Sequence, residues 1–206
     1  MSVSIGVVAL LVAAAFFAGF VDAIAGGGGL ITVPALLAVG LPPHLALGTN
    51  KGQSVFGAAS SVVSFWRRGA VNKTEAPRSF TAGLVGSLGG ALLLTLISPK
   101  PLRPIVVILL LVAAGIVLWP KRSLLHAEDE PRRARWLLPV IFLLGTYDGF
   151  FGPGVGTLLI VVLSRVFGQS FVHAAGNAKV VNFASNVAAV AVFMAVTSFV
   201  LLTGTA

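Results

Sequence analysis

Asp22-Ala-Ile-Ala-Gly26-Gly-Gly-Gly29-Leu30-Ile-Thr-Val-Pro34-Ala-Leu-Leu-Ala-Val39-Gly40-Leu-Pro-Pro43 decides how this chain folds. Four glycines open the backbone beside an acid, and the apolar stretch after them is closed within about ten residues by Gly40-Leu41-Pro42-Pro43. Ten helical residues rise about 15 Å, half of a hydrocarbon core about 30 Å thick. The segment therefore reads as short, broken or re-entrant. Its surroundings are membrane-like: apolar residues make up 57% of the 206, and charged residues only 10%, against about 25% in soluble proteins. Mean hydropathy is +1.00.

Working outward, apolar runs occupy 2–20, 44–66, 79–98, 104–119, 136–151 and 171–200, with short ones at 30–39 and 154–167. The expectation is an all-α polytopic membrane protein with about eight membrane segments, six long and two short. No Lys or Arg precedes the first run, so it reads as a retained helix rather than a signal peptide. Of 14 basic residues, Arg67, Arg68, Lys73 and Arg78 fall in one loop and Lys121, Arg122, Arg132, Arg133 and Arg135 in a linker. Basic loops stay in the cytoplasm, which puts both loops inside and both termini outside. The net charge of +8 is then an orientation signal and not a sign of nucleic-acid binding. With no Cys, disulfides, thiol ligands and thiol nucleophiles are excluded, while the redox compartment stays open.

The decisive stretch has a counterpart. Gly19-Phe-Val-Asp22-Ala-Ile-Ala-Gly26-Gly-Gly28 matches Gly145-Thr-Tyr-Asp148-Gly-Phe-Phe-Gly152-Pro-Gly154 at an offset of 126, and Gly48-Thr49-Asn50-Lys51 parallels Gly176-Asn177-Ala178-Lys179 with the lysines 128 apart. Repeat one is read as 1–119, a cytoplasmic linker as 120–135, and an incomplete repeat two as 136–206, all in one transmembrane domain. Five segments in the first copy, an odd number, invert the second. Inverted repeats with broken helices are the architecture of secondary transporters.

Asp22, Asp148, Lys51 and Lys179 are the charges set in apolar context, all at matched positions. Intramembrane charges are costly and usually line a pathway. The duller reading is that Asp22 pairs with Lys51 and Asp148 with Lys179, locking each half. Gly28 and Gly29, like Gly154, precede short helices whose free N–H groups attract anions. Asn50, Gln53, Asn177 and Asn182 add uncharged donors near the lysines, with helix-to-helix hydrogen bonding as the alternative for Asn182 and Asn186. Gly57 and the run Gly86-Ser87-Leu88-Gly89-Gly90 read as close packing. His44 and His173 stand at segment starts, and Trp66, Trp119 and Trp136 at span ends.

These two motifs resemble the paired signatures of the TauE/SafE family of membrane transporters, over nearly the whole chain. The resemblance implies export of sulfite or an organosulfonate such as sulfoacetate across the cytoplasmic membrane of bacteria, and, since members continue through further helices, a copy short of its C-terminal helices. The expected function is a secondary carrier of a small anion working by alternating access, with Lys51, Lys179, Asn50, Asn177, Gln53, Asn182, Gly28, Gly29 and Gly154 binding substrate and Asp22 and Asp148 coupling or pairing. An empty site is expected to let one lysine shed its proton, so that anion binding takes a proton up. The alternatives are another small anion, or a cation held by the aspartates. An intramembrane aspartyl protease is more remote, because Asp22 lacks a Gly-x-Gly-Asp setting. No enzyme activity, metal or other cofactor is expected; the partners are a small anion, the lipid bilayer and a second copy in a homodimer.

Overall fold

A computed structural model describes residues 4–118 and 135–203 of the chain. The linker expected at 120–135 lies outside the described residues except for Arg135, as does Trp119.

Eight α-helices and no strands make up the described residues: α1 (Ile5–Ala25), α2 (Gly29–Ala38), α3 (Pro43–Arg67), α4 (Ala76–Leu96), α5 (Pro99–Leu118), α6 (Leu137–Phe150), α7 (Val155–Arg165) and α8 (Phe171–Thr203). Glycine sets the sharp stops. α1 ends on Gly26 at φ 74°, and α7 begins after Gly154 at φ 82°, left-handed backbone that a residue without Cβ adopts at no steric cost. Proline opens α3 at its first position, where the missing N–H has no helical partner to lose.

The division into six long and two short segments is corrected. α6 has 14 residues, about 21 Å of rise, and joins α2 and α7 as a helix too short to cross a bilayer unaided. Four helices are long and apolar enough to span: α1, α4, α5 and α8. α3 has the length, at 25 residues, but Thr49, Asn50, Lys51, Gln53 and Ser54 dilute it. Of these, Asn50, Lys51 and Ser54 belong to the site.

α3 and α8 run antiparallel down the centre: Gly48 faces the Phe193 ring at one end, and Gly176 faces Phe65 at the other. The loop after α3 closes over the start of α8, where the Asn72 N–H donates to Asn177 Oδ1 at 2.9 Å. α4 packs between α6 and α8 through glycine. A Cβ on Gly145 would lie 2.7 Å from the Gly83 carbonyl oxygen, and Gly86, Gly90 and Gly149 meet backbone just as closely. Small residues allow such approach, which maximises dispersion contact where lipid removes the hydrophobic drive between helices. The packing expectation holds for Gly86 and Gly90 and is corrected for Gly57 and Gly89, which meet nothing within 4 Å. Gly19, the sequence match of Gly145, also meets nothing. Among the described residues no helix covers that face of α1, and its Phe16, Phe17, Phe20 and Ile24 are exposed.

Candidate functional site

Lys51 lies eight residues into α3 and Lys179 eight residues into α8. Because the helices are antiparallel, each lysine sits about 12 Å in from opposite ends. Both are buried, at 2% and 1% exposure, and both are paired. Lys51 Nζ donates to Asp148 Oδ1. Lys179 Nζ donates to Asp22 Oδ2 at 3.1 Å and also to the Asp22 carbonyl. The expected pairing within each half is therefore corrected: each lysine reaches the aspartate of the other half. The reason is steric. The glycine breaks bring the ends of α1 and α6 across the middle, so each aspartate faces the opposite central helix.

The breaks themselves touch. Gly26 lies against Gly156 so closely that a Cβ on Gly26 would stand 2.6 Å from Gly156 Cα, and the Thr157 N–H donates to the Gly26 carbonyl at 3.2 Å. Gly29 abuts Pro153, and Gly152, at φ 94°, presents its empty side to the Lys51 ammonium. Side chains at these positions would fill the space that the charged groups use.

A void of about 10 Å³ remains among Asp22, Asn50, Lys51, Asp148, Asn182 and Asn186, with Gly26, Gly29, Ser54, Gly152 and Gly154 completing its wall. That is room for about one water. Asn50 accepts from Thr32 Oγ1 of α2, and Asn182 Oδ1 accepts from Asn186 Nδ2 at 3.4 Å. Gly28 stands just outside the wall, where its N–H, at the start of α2, donates to Asp22 Oδ1 at 3.4 Å.

Seven of the sequence-expected residues plus both aspartates thus gather here or on the adjoining helix start: Lys51, Lys179, Asn50, Asn182, Gly28, Gly29 and Gly154. Two do not. Asn177 donates to Gln169 Oε1 at 2.9 Å and accepts from Asn72, pinning the start of α8 to the loop after α3. Its place was readable in the register: 128 before Asn177 stands Thr49, not Asn50, so it faces away from the lysine side. Gln53 Nε2 donates to the Ala15 carbonyl at 3.0 Å, tying α3 to α1. Gln53→Ala should lower the melting temperature by the equivalent of about 1 kcal/mol, with uptake falling no further than the folded fraction; thermal melts beside uptake assays check this. Ser54 was missed although it stands 128 before Asn182, the signal that would have found it. The two described histidines have partners: His44 Nε2 contacts the Leu94 carbonyl at 3.2 Å, and His173 Nδ1 the Ser170 hydroxyl at 2.8 Å.

Apolar helices around a desolvated centre of paired charges, with two short helices starting at that centre, define a multi-pass membrane protein. The sequence profile described as Sulfite exporter TauE/SafE matches residues 11–206. The chain belongs to this family of membrane transporters. It is 40% identical over 197 residues to a probable membrane transporter protein of Haemophilus influenzae, covering 94% of this chain and 76% of that one. It is 39% identical over 188 residues to the probable membrane transporter protein ORF9 of a Sinorhizobium species, covering 90% and 72%. With the probable membrane transporter protein YfcA of Escherichia coli K12 it shares 37% over 201 residues, covering 92% and 73%. No solved structure matches. The chain is a transporter and not an enzyme, which disposes of the protease alternative.

Proposed function

We propose that this transporter carries a small oxyanion, sulfite or an organosulfonate, across the bacterial cytoplasmic membrane by alternating access of two inverted halves. One observation carries the reading. The Asp22 carboxylate is itself an anion held by the Lys179 ammonium on one oxygen and the Gly28 N–H of a helix start on the other. A sulfonate or sulfite presents oxygens of the same charge and similar spacing to the same donors, and charge-assisted hydrogen bonds in a low-dielectric centre are strong ones. The void is far too small to add a four-atom oxyanion to this arrangement, so the substrate takes the place of a carboxylate.

Displacement supplies the link to movement. Both ion pairs join one half to the other, so an anion that takes a lysine from its aspartate removes a bond between the halves. The antiparallel α3 and α8 and the meeting of Gly26 with Gly156 support the inverted-repeat reading. A cation held by the aspartates is less favoured, because it would have to expel an ammonium from each.

Counterflow in proteoliposomes over sulfite, sulfoacetate, taurine, sulfate and chloride tests the proposal. Uptake of sulfite or sulfoacetate at least about tenfold above chloride, a difference of about 1.4 kcal/mol, is the expected outcome. Uptake that ignores every anion would overturn it.

A further inference from the structure

The two ion pairs differ at one carboxylate oxygen. Asp22 uses both of its oxygens, Oδ1 toward the Gly28 N–H and Oδ2 toward Lys179. Asp148 meets Lys51 through Oδ1, while its Oδ2 is buried without a hydrogen-bond partner. The Ser185 hydroxyl stands beside the same carboxyl, and its Oγ is likewise buried without a partner. Buried polar atoms are almost always satisfied; here two unsatisfied ones belong to neighbouring side chains. The arrangement is peculiar to this half. Ser185 stands 128 after Gly57, as Lys179 stands 128 after Lys51, so the position matched to Ser185 has no hydroxyl. Ser185 is also held in place: Ser87 Oγ of α4 donates to its carbonyl at 2.7 Å.

We propose that Asp148 Oδ2 and Ser185 Oγ form the proton-binding site that couples transport: when an oxyanion takes Lys51, one proton enters on Asp148 Oδ2 and is donated to Ser185 Oγ. The inference rests on the oxyanion reading above. Its driving force is the burial of Asp148, which is 1% exposed. Loss of the Lys51 partner leaves an unpaired carboxylate in a desolvated centre, which is strongly disfavoured, and a proton removes that charge. The proton comes from water, Lys51 keeps its own protons to hold the anion, and Asp148 becomes a neutral acid whose O–H needs an acceptor. Ser185 Oγ has lone pairs to offer. For a monoanion such as methanesulfonate the balance is electroneutral: ammonium and carboxylate before, ammonium and bound monoanion after, with the carboxyl neutral; the second charge of sulfoacetate is carried in addition.

The titratable and charged groups around this carboxyl do not supply the same service. Lys51 comes from α3, Asp22 acts on it from α1, and Tyr147 is its neighbour on α6. α4 contributes the Ser87 hydroxyl, already donated to the Ser185 carbonyl. Lys179 of α8 is taken by Asp22.

Calorimetric titration of the purified chain with methanesulfonate and sulfoacetate, in buffers of different ionisation heat, counts protons directly, since both anions are fully ionised near neutral pH. About one proton should be taken up per anion bound, and over the pH range where that uptake holds the affinity should fall about tenfold per pH unit. Asp148→Asn should bind anion with proton uptake abolished and the pH dependence flattened. In Ser185→Ala the neutral acid loses its acceptor, so the pH profile of proton uptake should shift from that of the parent. Anion binding without proton uptake, binding that requires sodium instead, or undiminished uptake in Asp148→Asn would overturn the coupling site while leaving the oxyanion reading intact. An unchanged pH profile in Ser185→Ala would remove Ser185 from it. Failure of both anions to bind the parent would remove the oxyanion reading and this site with it. The parent's proton count decides even if the Asp148 variant does not fold.

Discussion

Lys51→Met is expected to lower the stability of the chain by about 3–5 kcal/mol, because it leaves the Asp148 carboxylate buried without its counter-ion. The partner that restores stability identifies the pairing. Lys51→Met with Asp148→Asn should regain most of the loss, since both charges are then gone and an amide demands less of its surroundings than a carboxylate. Lys51→Met with Asp22→Asn should regain nothing and instead uncover Lys179. Double-mutant cycles by thermal melting measure both couplings. Transport should be lost in all of these variants, the restored one included, because the anion needs the ammonium whatever holds the fold together. Recovery through Asp22 would overturn the crossed arrangement, and transport by the restored double variant would overturn the role of Lys51.

Gly26→Ala is expected to be as damaging through the backbone alone. An alanine at φ 74° carries the left-handed penalty of about 1–2 kcal/mol, and its Cβ would stand 2.6 Å from the Gly156 backbone, which neither break can yield without moving a charged pair. Together these should cost more than about 3 kcal/mol. Gly40→Ala separates the two contributions: its φ is 91°, but nothing lies within 4 Å, so it should show only the conformational part. Gly19→Ala, with open space around it, should leave the melting temperature unchanged or raise it, since alanine is the better helix former. Melts of the three variants in one detergent decide. A Gly26→Ala protein no less stable than Gly40→Ala would mean that the breaks do not meet as described.

Much of the molecule is legible in the chain. Apolar length and the glycine and proline stops yield all eight helices, because a helix in lipid must satisfy its backbone internally and ends where the residues forbid it to continue. The four central charges stand out because apolar context makes them expensive, and a constant offset between two motifs marks them as equivalent. Register alone makes Ser54 the counterpart of Asn182 and takes Asn177 off the site.

Which aspartate meets which lysine is a different kind of question. Matched spacing fits pairing within a half as well as pairing across halves, since both put one acid near one base. The choice falls to the contact of Gly26 with Gly156 and to the antiparallel course of α3 and α8, long-range features that no local pattern encodes. The difference between Asp22 and Asp148 has the same origin: α4 covers α6 and brings Ser87 to the carbonyl of Ser185, while among the described residues no helix stands over Gly19 on α1. The sequence by itself determined which groups are too costly to be there without a purpose; only the packing of helices distant in the chain decided their partners, because a buried charge is fixed by whatever the fold places within hydrogen-bond reach.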